Sequence, residues 1–67
     1  MEKKELTEAQ QQIVDLEWEV DTHRIMFARC LAAGQEEAAA RHDRTVRDLL
    51  DELTQLYGRE ELSRRAA

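Results

Sequence analysis

Proline is absent from this 67-residue chain, so no residue in it compels a helix to break. There are two glycines, Gly34 and Gly58, and three aromatics, Trp18, Phe27 and Tyr57. The one cysteine, Cys30, excludes an internal disulfide, and with only two histidines beside it the chain falls short of a structural zinc set. No apolar run approaches the roughly 20 residues that span a membrane. The N-terminal MEKKELTEAQQQ also lacks the apolar core of a secretory signal. An unpaired thiol without an export signal leads to the expectation of a cytoplasmic protein. Serine occurs once, as Ser63, and there is no glycine-rich phosphate loop, Ser/His/Asp set or convergent acid pair. Catalysis, a bound cofactor and a small-molecule substrate are therefore not expected.

What is present favours helix. The chain is 37% charged and 42% hydrophobic, and it is rich in Ala, Glu, Leu and Arg, a composition typical of long helices and coiled coils. Its organising stretch is IVDLEWEVDTHRIMFARCL, from Ile13 to Leu31. One stripe, Ile13, Leu16, Val20, His23, Phe27 and Cys30, alternates steps of three and four, the spacing of a seam packed on another helix. Leu6 and Ala9 extend it backwards. A second stripe, Val14, Trp18 and Ile25, points roughly 160° away at about 100° per residue.

The seam predicts a first helix over about 5–32, with residues 1–5 fraying. Thr7 and Gln10 have the form of a capping box, but a seam already running through Leu6 favours an earlier start. A turn is expected at about 33–36, where Gly34 suits the left-handed end of a helix and Glu36 and Glu37 suit the first turn of the next. A second helix over about 36–57 repeats the alternation at Ala39, His42, Val46, Leu49, Leu53 and Leu56, with Leu50 and Tyr57 widening its stripe. Gly58 reads as a second stop, leaving 59–67 as a tail or short helix. Folding about Gly34 opposes residues whose numbers sum to about 69, and every such pair joins seam to seam. The fold expected is an all-α antiparallel two-helix hairpin forming one domain, and a hairpin is preferred to an unbroken rod because its two seams match in length.

His23 and His42 both fall on the seams, one layer apart. The di-iron pattern Glu-x-x-His is missing, because Val20 and Ala39 stand three residues before them. The reading is two buried polar residues that fix register, with no metal. Cys30 reads as a small core residue. Around the hairpin tip Arg24, Arg29, Arg41, Arg44 and Arg47 outnumber Glu36, Glu37 and Asp43, whereas the rest of the chain is acidic and the net charge is −5. Arg41, Arg44 and Arg47 share the outer side of the second helix, where ion pairs such as Arg44 with Asp48 and Arg47 with Asp51 are expected. They are also the candidate contacts to an acidic protein or to RNA, although no aromatic is interleaved among them.

A chain of this length buries only about 60% of the surface its unfolded form exposes, so oligomerisation or a partner is the expected source of further stability. A dimer of hairpins making a four-helix bundle would supply it. The Val14, Trp18, Ile25 stripe is the candidate homodimer interface or docking surface for another protein. In length and hairpin form the chain resembles the Rop family of plasmid copy-number regulators, which bind paired RNA as dimers. It is similar likewise to the two-helix co-chaperones of type III secretion needle proteins and to small phage proteins that block host regulators. The function expected from the Trp18 stripe and the tip arginines is that of a small non-catalytic regulator, inhibitor or adaptor that occludes a protein partner, with an RNA-binding hairpin or a secretion co-chaperone as the alternatives. The resemblance carries no site residue over to this sequence.

Overall fold

The computed structural model describes residues 6–66 as two α-helices, α1 Glu8–Ala32 and α2 Glu36–Ala66, which pack antiparallel against each other. The expectation that residues 1–5 fray lies outside the described residues.

The start of α1 corrects the sequence reading. Thr7 is the N-cap: its hydroxyl accepts from the Gln10 backbone N–H at 3.1 Å, and its own N–H donates to the Gln10 side chain at 3.0 Å. This reciprocal box satisfies two orphan donors at once. An apolar residue at position 6 offers no comparable gain, and Leu6 lies outside the helix, exposed.

The end of α1 forms as expected, and its hydrogen bonds show why Gly34 sits there. The Gln35 N–H reaches back to the Cys30 carbonyl at 2.8 Å and the Gly34 N–H to the Leu31 carbonyl at 3.1 Å, the paired bonds of a Schellman motif. That geometry needs a left-handed residue, and Gly34 has φ +75°. The chain then re-enters helix at once. The Ala39 N–H donates to the Gln35 carbonyl at 3.0 Å, and Glu36 and Glu37 occupy the first turn of α2.

Gly58 does not end α2, a second correction. The helix runs through it to Ala66. A mid-helix glycine costs about 1 kcal/mol against alanine. Two features offset that cost: Glu60, Glu61, Leu62, Arg64 and Arg65 all favour helix, and the extension lies along the start of α1. Arg59, Glu60 and Ser63 share a surface groove there with Glu8, Ala9 and Gln12.

Among the described residues the buried apolar side chains, Leu16, Val20, Ala39, Val46, Leu53 and Leu56, all belong to the seams. Ile13 and Leu49 pack partly buried against them. Among the described residues two side-chain hydrogen bonds cross between the helices, His23 with His42 and Glu17 with Tyr57, and they fall on either side of the expected register. The hairpin is a slab of 49 × 28 × 12 Å, no thicker than a single helix. Its radius of gyration is 15.7 Å, against about 11 Å for a compact domain of this length. The accessible surface is 5939 Å², well above the roughly 4,400 Å² expected of a compact 7.8 kDa monomer. Among the described residues one seam is thus the whole core, and they leave both broad faces of the slab open.

Candidate functional site

The outer side of α1 carries the largest exposed apolar side chain of the molecule. Trp18 is 72% exposed, Ile25 54% and Val14 45%. Their position follows from helical periodicity: Leu16 and Val20 take the seam, so the residues between and beyond them turn outward. Asp21, also exposed, interrupts the stripe. The Thr22 hydroxyl donates back to the Trp18 carbonyl at 2.9 Å, so its proton is already used within the helix.

A second feature lies on one broad face, between the helices. Val20 and Leu53 form the floor of a groove of about 380 Å³, Leu50 and Tyr57 its α2 wall, and Glu17, Asp21 and Arg24 its α1 wall. Leu50 and Tyr57, which widened the α2 stripe, remain 38% and 47% exposed because no third helix covers them. The Tyr57 hydroxyl donates to the Glu17 carboxylate. That bond, then desolvation, then the charge of the same carboxylate hold the phenol above its ordinary value near 10. Sequence reading missed this groove. Its signal was the i, i+7 spacing of Leu50 and Tyr57, which puts both on one flank of α2, with Glu17 flanking the α1 seam on the matching side.

The expected tip cluster of arginines is brought together only in part. Arg24 lines the groove, beside acids and apolar residues. Arg29 occupies the last turn of α1, where a cation complements the helix dipole. Arg41, Arg44 and Arg47 are exposed along α2. Their ion pairing differs from the expectation. Arg47 meets Asp43 at 3.2 Å, and among the described residues neither Arg44 with Asp48 nor Arg47 with Asp51 forms a bridge. An acid four residues before a base is the better helical orientation, and Asp43 supplies it. Both partners are largely solvated, so the pair contributes little.

His23 and His42 meet across the seam with their Nδ1 atoms 2.9 Å apart, ring centroids 5.1 Å apart and planes tilted by 39°. They are half-buried rather than buried, because the imidazoles are longer than the Val20, Ala39 and Val46 side chains of the neighbouring layers and reach the edge of a slab one helix thick. The short contact requires one ring to carry its proton on Nδ1 and the other to offer a lone pair there. Cys30 is a half-buried free thiol. Among the described residues no group of three or more His, Cys, Asp or Glu side chains converges, and no helix is long and apolar enough to cross a membrane. The sequence matches no protein-family model and has no significant match among curated proteins or solved structures.

Proposed function

We propose that this hairpin is a non-catalytic binding module, a small homodimeric regulator, inhibitor or adaptor that occludes a partner protein. The observation that carries the reading is surface excess. The chain exposes roughly 1,500 Å² more than a compact monomer of its mass, and a standard interface buries about 800 Å² from each partner. Trp18 lies on that excess surface, and tryptophan is among the residues most enriched where binding energy concentrates. The groove of Leu50 and Tyr57 gives a second apolar patch on a different face, room for a hairpin of the same kind and a separate target. Glu17, Asp21 and Arg24 along its wall suit self-pairing in a two-fold dimer, where each arginine would meet its partner's acids.

Sedimentation of the wild type and of Trp18→Ala tests this. The wild type is expected to be a dimer at micromolar concentration. Dissociation on Trp18→Ala assigns that face to the dimer; a dimer that survives but no longer binds its target assigns it to docking. A wild type that is a stably folded monomer would remove the homodimer from the reading.

The alternative is RNA binding through Arg41, Arg44 and Arg47, which are exposed along α2. Salt separates the two. Phosphate contacts weaken by roughly 0.7 to 0.9 log units per log unit of salt for each contact, whereas an interface centred on Trp18 changes little.

A further inference from the structure

We infer that His23 and His42 form an interhelical chelate for Zn²⁺, with solvent completing the coordination. The two imidazoles come from different helices, and their Nδ1 atoms face each other at 2.9 Å in a half-buried position open to solvent at its edge. Zinc takes imidazole nitrogen at about 2.0 to 2.1 Å in tetrahedral geometry, which sets the two nitrogens about 3.3 Å apart and the ring centroids about 5.2 Å apart. The centroids already stand at 5.1 Å. The spacing between the helices is thus already close to that of a chelate, and rotation about the side-chain torsions re-aims the two lone pairs at the metal as the nitrogens open by about 0.4 Å. A square-planar ion with its ligands at right angles would instead draw the centroids to about 4.5 Å and pull the helices together, so tetrahedral Zn²⁺ is the better match.

The proton balance is simple. In the present contact one ring carries a proton on Nδ1 and the other offers its lone pair there. Between two neutral rings that proton passes through solvent to Nε2 of its own ring, so that both Nδ1 lone pairs go to the metal and no net proton is released. Two protein ligands leave two positions for water, in keeping with the lack of any third His, Cys, Asp or Glu at this point among the described residues. Because the ligands lie on α1 and α2, zinc would clamp the hairpin near its tip and stabilise the folded chain, which the unfolded chain cannot match with ligands nineteen residues apart. This inference is independent of the proposed docking role.

Thermal unfolding with ZnCl₂ tests it, in wild type, His23→Asn, His42→Asn and Cys30→Ser. The wild-type melting temperature is expected to rise with the logarithm of zinc concentration, by roughly 10 to 20 °C at a hundredfold excess over the dissociation constant. Cys30→Ser should keep the rise, each histidine variant should lose it, and MgCl₂ should produce none. Nitrogen NMR of the wild-type imidazoles gives a readout that does not depend on any variant folding: with zinc, both rings should show metal on Nδ1 and a proton on Nε2. An unchanged wild-type melting temperature, a rise that survives in both histidine variants or is lost in Cys30→Ser, or imidazole spectra unaltered by zinc would each overturn the chelate.

Discussion

The two sides of α1 carry similar side chains and meet opposite fates. On the inner side Leu16 and Val20 are buried against Val46, Leu53 and Leu56; on the outer side Val14, Trp18 and Ile25 stand in water. Hydrophobicity is not what separates them, since tryptophan has more apolar surface to lose than valine. What differs is the presence of a facing stripe. The inner residues have one 26 to 40 positions along the chain, and the outer residues have none among the described residues. A hairpin can satisfy one face of each helix, so an apolar residue on the other face is either a liability or a surface meant for something else.

The largest expected effect sharpens this contrast directly. Leu53→Ala removes a buried side chain from the only seam and should destabilise the fold by about 2 to 5 kcal/mol, enough in a chain this small to unfold much of it at ambient temperature. Trp18→Ala should change the stability of the isolated hairpin by no more than about 0.5 kcal/mol, because its surroundings are solvent. Urea unfolding at low protein concentration compares them. Equal losses from the two substitutions would mean that the outer stripe is part of the fold after all.

The two glycines give a smaller version of the same lesson. Gly34 and Gly58 look alike in sequence, and a Cβ added to either would meet nothing within 4 Å. Space therefore does not distinguish them, but backbone conformation does. Gly34→Ala forces a side chain into φ +75° and should cost roughly 1 to 2 kcal/mol, while Gly58→Ala replaces a poor helix former inside α2 and should stabilise by about 0.5 to 1 kcal/mol. Melting temperatures moving in opposite directions check this pair. A loss at Gly58 would show that the helix there is held against an alternative stop.

The smallest effect concerns the groove. The neutral phenol of Tyr57 is the form that donates to Glu17, so its titration is raised in the folded state. The bond's contribution is therefore complete below the ordinary tyrosine value near 10 and is lost as pH rises through the raised one. Tyr57 is the only tyrosine, so phenolate absorbance reports it alone. It should titrate at higher pH in the native protein than in urea, and Glu17→Gln should narrow the gap. Coincident native and unfolded titrations would mean that the groove wall is not closed by this bond.

Much of the fold was legible because it depends on period and punctuation. The alternation of three and four named every buried residue among those described, and Gly34 with two following acids marked the turn. What went unread was competition between local signals. Thr7 and Gln10 against a seam through Leu6, and Gly58 against the helix formers beyond it, are balances of about 1 kcal/mol each, and they turn on whether a backbone donor finds a partner or a segment finds a neighbouring helix. The Asp43 to Arg47 pair was missed for a similar reason, since several acids lie within reach of each arginine and orientation along the helix decides among them.

The sequence by itself determined an all-α hairpin, its seams and the side on which Trp18 emerges, because helical period converts residue spacing directly into direction. Only the tertiary structure decided that Tyr57 closes onto Glu17 and that His23 meets His42 nitrogen to nitrogen. Those contacts depend on how far one helix slides along the other and on which rotamers the meeting leaves open. Differences of an ångström or two, invisible in the spacing of residues, separate a layer apart from a hydrogen bond.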